Sequence, residues 1–146
     1  MVDVPKGWQL PTHDAIRVED ITQDGMLIEV PAGLLDDRDP AAAVIAEVQE
    51  ETGYKIGKPQ KLFDLFMSPG SVTERLHLFM AEVTKEYQTG KGGGLHEEGE
   101  DIHAKVISFA DAMAMLDAGQ IDNAHSLIAL QWLRIHRDTL RQRWLA

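Results

Sequence analysis

The sequence predicts an α/β protein, a mixed sheet held between helical layers, and three observations carry that prediction. Residues 40–52 form a helix bounded by its own capping residues. Residues 74–83, ERLHLFMAEV, are apolar on both alternating sets, as in a strand covered on both faces at a sheet centre. From Ala124 onward, Ile128, Trp132 and Ile135 recur at helical spacing. The order strand, helix, strands, helices then sets a sheet between helices.

Residues 1–24 hold Pro5, Gly7 and Pro11 among scattered charges and are weakly patterned, with a short strand end at 15–18. Residues 26–30, MLIEV, read as a strand entering the turn at Ala32 and Gly33. Next comes the helix: Asp39 caps it through a side-chain oxygen, Pro40 suits its first position, and Gly53 suits a left-handed exit. Residues 61–66, KLFDLF, form a short strand before a turn at Ser68, Pro69 and Gly70. The 74–83 strand follows. Residues 88–99, QTGKGGGLHEEG, have the glycines and charges of a mobile surface loop, and 102–109 hold another short strand. Ser108 caps a helix that runs to Ala118 and ends at Gly119. The terminal helix carries Arg137, Arg141 and Arg143 where its dipole favours cations, with Trp132 and Trp144 as packing residues.

A chain of 146 residues supports one domain with a real core and is too short for two. The hydrophobic share of 44% and charged share of 26% are those of a globular protein, and no apolar run has the length of a membrane span. Fourteen Lys and Arg against 24 Asp and Glu leave a net charge of -10, which excludes a general nucleic-acid surface. A protein this acidic needs a metal to act on a phosphate compound. The chain has no cysteine, which excludes disulfides, thiolate metal sites and a cysteine nucleophile. The start MVDVPKGW lacks the pattern of a secretion signal, so the expected location is cytoplasmic, with no membrane partner.

Chemistry concentrates on the 40–52 helix. At about 100° per residue, Glu47 and Glu51 lie within roughly 40° of each other, and Glu50 lies about 60° to the other side of Glu47. Ala41, Val44, Ile45, Val48 and Thr52 fall on a separate arc that can bury while the acids point elsewhere. No Lys or Arg between Pro40 and Tyr54 offsets the repulsion. The face is either a solvated acidic surface or a divalent-cation site, and helix geometry alone does not choose. The acids Glu97, Glu98, Glu100 and Asp101 form a second group in the glycine-rich loop, able to swing onto a substrate. Of the six histidines, His13, His77, His103, His125 and His136 are scattered without ligand spacing, and His96 lies beside the loop acids.

The stretch AGLLDDRDPAAAVIAEVQEETGY, residues 32–54, resembles the Nudix hydrolase signature, G-x5-E-x7-R-E-U-x-E-E-x-G-U with U aliphatic. Glu47, Val48, Gln49, Glu50, Glu51, Thr52, Gly53 and Tyr54 match its second half. In the first half Asp39 takes the glutamate position after Gly33, the following spacer is one residue short, and Ala46 takes the place of the arginine. Pro69 in SPGSVTE, with GEDIHAKVIS and GQIDNAHSLIALQWLRIHRDTLRQRWLA, resembles the branch of the family that cleaves ADP-ribose. The segment GLLDDRDP is closer to the related branch that cleaves GDP-mannose, whose box has the same short spacing.

This resemblance implies a single Nudix-type α/β/α sandwich over residues 1–146, and hydrolysis of the pyrophosphate bond of ADP-ribose to AMP and ribose 5-phosphate, with Mg²⁺ or Mn²⁺ as cofactor. GDP-mannose or another nucleoside diphosphate sugar is the alternative substrate, and a catalytically weak module that binds nucleotide sugars or a protein is the rival. It further implies that Glu47, Glu51 and the backbone carbonyl of Ala32 ligate the metal, that Glu50 acts directly or through water, and that Glu100 completes the set. Glu98 would be the general base. Arg17 would bind phosphate, Leu34 would line the ribose side, Glu74 would bind the terminal ribose, and Ser68 would contact substrate from the segment beside it. A homodimer is implied too. Family members carry an N-terminal strand subdomain before the position of Arg17, where this chain has sixteen residues, so that subdomain is expected to be lacking. Ala46 is expected to leave the helix acids less well held.

Overall fold

The computed structural model describes residues 27–95 and 102–144. The expected strand end at 15–18, Met26, Arg17, His13, His96, the loop acids Glu97, Glu98, Glu100 and Asp101, and the segment in question for the N-terminal subdomain lie outside the described residues.

Helix α1 spans Pro40–Thr52, as its caps require. The Asp39 carboxylate accepts the N–H groups of Ala41 and Ala42 at 3.0 and 3.1 Å, and Gly53 closes the helix at φ 75° with its N–H on the Gln49 carbonyl. Strands β1 (Gln60–Phe66) and β2 (Arg75–Met80) form an antiparallel hairpin with a register shift between Lys61 and Phe63. Helix α2 spans Phe109–Asp117, with the Ser108 hydroxyl accepting the Asp111 N–H at 3.1 Å. Gly119 follows it at φ 69°. Helix α3 spans Ala124–Trp144. Both α1 and α3 pack on β2, and α2 packs on α3.

Among the described residues, the buried cluster lies mostly between the last two helices: Ala112, Met113, Leu116 and Ile121 are buried against Phe109, Met115 and Leu130. Leu78 is the buried residue of β2, and Ser126 and Leu140 are the buried residues of α3. Trp132 is half-buried and stacks on the His136 ring at 4.2 Å, while the Arg137 guanidinium lies 4.5 Å from the centre of the Phe109 ring.

Several expectations about strands are corrected. The sheet among the described residues is a two-stranded antiparallel pair and not a mixed sheet. Residues 27–30 are not a strand, because their backbone groups bond to side chains of the last helix instead of a ladder: the Val30 N–H donates to Ser126 Oγ at 2.9 Å and the Ile28 carbonyl accepts from Asn123 Nδ2 at 2.8 Å. Residues 102–107 are likewise irregular, and Phe109 begins a helix. The 74–83 strand is shorter than expected and is half of a pair, with Leu78 alone fully buried in it. Ile135, expected on the apolar stripe of α3, is 76% exposed.

Candidate metal and substrate site

The acids of α1 do not face solvent. Glu51 is buried and the Glu47 side chain is only 15% exposed, whereas Ala41, Val44, Ile45, Val48 and Thr52 are half-buried and Ala43 is the apolar residue the helix buries fully. The expected division into an apolar anchored side and an outward acidic side is therefore corrected. Burying carboxylates is costly unless each is met by donors or cations, so a purely solubilising face does not describe them.

What meets them is the chain that precedes the helix. The Ala32 N–H donates to Glu51 Oε2 at 3.2 Å. Gly33 lies so close to the Glu47 carboxylate that a Cβ there would overlap it, so this turn needs glycine for the approach itself. Arg38 closes the loop: its Nη2 donates to Glu47 Oε1 at 2.8 Å and to the Leu34 carbonyl at 2.9 Å, and its Nε to the Leu35 carbonyl at 3.3 Å. Asp36 and Asp37 make the tight return at φ 46° and 61°. Sequence reasoning missed Arg38 because it sought an offsetting cation only inside the helix, and Arg38 precedes the cap.

The loop is held from its other end by α3. Besides the Ser126 and Asn123 bonds to residues 28 and 30, His125 Nε2 lies 3.1 Å from Glu29 Oε2, and Asn123 Oδ1 accepts the Ser126 N–H at 3.0 Å. Two of these groups, the Asn123 amide and the buried Ser126 hydroxyl, thus set where Ala32 enters the site. The N-cap position of Asn123 was the available signal for one of them.

The far end of α1 is wrapped by residues 88–94. Thr89 and Gly90 N–H groups donate to the Gly53 carbonyl at 2.8 and 3.1 Å, Gly93 to the Glu51 carbonyl at 2.9 Å, and Gly94 to the Glu50 carbonyl at 3.2 Å. The expectation of a mobile loop is corrected for this part, since its backbone caps carbonyls the helix cannot satisfy itself. The Ile102 N–H returns to the Gly93 carbonyl at 3.4 Å, so both described flanks of the segment carrying Glu98 and Glu100 stand beside Glu50 and Glu51.

The remaining expected contacts are less gathered. Leu34 is 78% exposed and reaches the site through its carbonyl. Ser68 and Glu74 are exposed, and the bonds of their turn stay within the hairpin: the Ser68 carbonyl accepts the Ser71 and Val72 N–H groups at 2.9 Å each, and the Glu74 carbonyl accepts the Met67 N–H at 3.3 Å. An open depression there is lined by Pro69, Gly70, Ser71, Val72 and Thr73.

Among the described residues, no three His, Asp or Glu side chains are placed to hold one metal ion. The carboxylates of Glu47 and Glu51, which lie beside the Gly33 Cα and the Ala32 N–H, are hard oxygen ligands of the kind Mg²⁺ or Mn²⁺ takes, and the glycine leaves the Glu47 carboxylate room. No helix among the described residues is long and apolar enough to cross a membrane.

The glycine turn lies against a half-buried Glu47 and a buried Glu51, and a model of the NUDIX domain matches residues 13–130. The chain belongs to that family. It is 46% identical over 109 residues to the GDP-mannose pyrophosphatase of Pectobacterium atrosepticum, an overlap covering 75% of this chain and 55% of that protein. It is 46% identical over 111 residues to the Klebsiella pneumoniae GDP-mannose pyrophosphatase, covering 76% of this chain and 55% of the relative. With the Escherichia coli O1:K1 protein of the same name it shares 41% over 113 residues, covering 77% and 58%. The chain thus spans a little more than half the length of these curated relatives.

Proposed function

We propose that this Nudix domain is a divalent-metal-dependent pyrophosphohydrolase of nucleoside diphosphate sugars. The sequence alone placed ADP-ribose first and GDP-mannose second; the names of the relatives favour the reverse order, and GDP-mannose is the substrate adopted here. The observation that carries the reading is the inward placement of Glu47 and Glu51 beside the Ala32 and Gly33 backbone, which sets two carboxylates, hard oxygen ligands of the kind a divalent cation takes, one turn apart on α1.

In this reading Glu47, Glu51 and the Ala32 carbonyl hold Mg²⁺, with Glu50 acting directly or through water and Glu100 from the loop. When bound, the metal neutralises the diphosphate and lowers the pKa of water. Glu98 takes the proton of the attacking water, which opens one phosphorus–oxygen bond of the bridge and releases a nucleoside monophosphate and a sugar phosphate. Gly94, whose N–H is on the Glu50 carbonyl, precedes Glu98 by four residues, a reach of at most about 14 Å. Arg17 binds phosphate, while Leu34, Ser68 and Glu74 border the sugar. A homodimer remains part of the reading, carried only by the resemblance.

Incubation of the protein with GDP-mannose or ADP-ribose and Mg²⁺, with products separated by anion exchange, tests it. The expected result is cleavage of both with GDP-mannose faster, complete loss with a chelator, and a drop of about 10²-fold or more in Glu98→Gln. Binding of either compound without cleavage at stoichiometric enzyme would favour the rival, a binding module.

A further inference from the structure

Position 46, where the matched motif has a basic residue, is alanine, yet the carboxylate it would attend is not left alone. The Arg38 guanidinium arrives from outside the helix and spans two structures at once. One side bonds Glu47 Oε1 at 2.8 Å; the other bonds the carbonyls of Leu34 and Leu35 at 2.9 and 3.3 Å. Asp36 Oδ2 stands 3.8 Å away as a looser partner. A planar fork suits this task, since a lysine ammonium is a point charge that cannot hold a carboxylate and two separate carbonyls in one fixed geometry.

The bonds run through the loop that places Ala32 beside Glu51. Without them, among the described residues, the return at Asp36 and Asp37, both at positive φ, would keep the Arg38 N–H on the Leu35 carbonyl as its one backbone bond. Two effects oppose each other at the metal. A positive charge near Glu47 repels an incoming cation, but this guanidinium is 37% exposed, where solvent screens it. Orientation of the ligand is not screened, and loss of groups that orient metal ligands lowers affinity by about 10–100-fold.

We propose that Arg38 is a positioning residue for the metal site, taking over from the loop the task that position 46 has given up. It holds the Glu47 carboxylate and the loop around Ala32 in register, so that divalent metal binds a site already shaped. This rests on the reading of Glu47 as a metal ligand.

The test is the Mn²⁺ dissociation constant, read by calorimetry on the intact protein, in wild type, Arg38→Ala, Arg38→Lys and Asp36→Asn, with circular dichroism to confirm folding. Arg38→Ala is expected to weaken Mn²⁺ binding about tenfold or more, Arg38→Lys to fall between, and Asp36→Asn to match wild type. In turnover, the Mg²⁺ concentration for half-maximal rate should rise while the rate at saturating metal recovers, a split that mere loss of stability would not give. Equal or tighter Mn²⁺ binding in folded Arg38→Ala would overturn the proposal, because the guanidinium would then compete with the metal for Glu47. If Arg38→Ala does not fold, wild-type affinity in Arg38→Lys overturns it instead. Should wild type bind Mn²⁺ but cleave nothing, the substrate reading falls while the Arg38 comparison still decides; should wild type bind no Mn²⁺, both fall.

Discussion

The backbone N–H of Gly93 donates to the Glu51 carbonyl at 2.9 Å, so the final turn of α1 is capped by a distant loop as well as by Gly53, which follows it. The same turn carries the acids assigned to metal. Whatever fixes the loop therefore also fixes the chain that leads toward Glu98 and Glu100.

Gly92 is the position where this can be broken. It sits at φ 68°, and a Cβ would run into the Glu51 carbonyl, which is backbone and cannot swing aside. Gly92→Ala is expected to lose about 1–2 kcal/mol from the left-handed conformation alone, with more from the overlap, measured by urea denaturation. Metal affinity should fall with it.

Gly33→Ala separates site from stability. The added methyl meets the far end of a flexible side chain, the Glu47 carboxylate, which can move at little cost to the fold but loses its bond to Arg38 when it does. The expected outcome is a melting temperature close to wild type with Mn²⁺ affinity lowered about tenfold or more.

How much of this was legible beforehand differs by element. Asp39, Pro40 and Gly53 define α1 from local chemistry, and the structure keeps those boundaries. Ser108 did the same for α2. The strands at 26–30 and 102–109 misled because an apolar run fixes neither burial nor partner: Leu27, Ile28 and Val106 are exposed, and residues 28–30 are held by Asn123, His125 and Ser126 from far along the chain. In the site, spacing put Glu47 and Glu51 on one helix face and only the resemblance offered them as ligands, while the inward turn of those acids was not legible, since it depends on Gly33 and Arg38 closing over them from a loop without periodicity.

Ser126 tests the α3 anchor. Its hydroxyl is buried, with the residue 1% exposed, and accepts the Val30 N–H. Ser126→Ala leaves that donor without its partner and is expected to cost about 1–3 kcal/mol of stability by urea denaturation. A loss near zero would show that the loop entering the site is held by other means.

Asp64 makes stability depend on acid. The Lys61 ammonium hydrogen bonded to it at 2.6 Å is the chief cause that holds its carboxyl below the ordinary 3.8; desolvation opposes this, and His77 at 2.5 Å adds to the lowering. A folded state that binds this proton less readily than the unfolded chain is favoured above 3.8, and that advantage disappears as pH falls through the lowered value. Thermal melts of wild type and Asp64→Asn should therefore differ at pH about 5 and converge toward pH about 2.

The decisive measurement is Mn²⁺ affinity in Glu51→Gln, Glu100→Gln and the double variant. If helix and loop acids ligate one ion, each single change weakens binding about tenfold or more and the double change falls well short of the product of the two, as for groups serving one centre. Wild-type Mn²⁺ affinity in Glu100→Gln would contradict a shared metal, and with it the proposed chemistry.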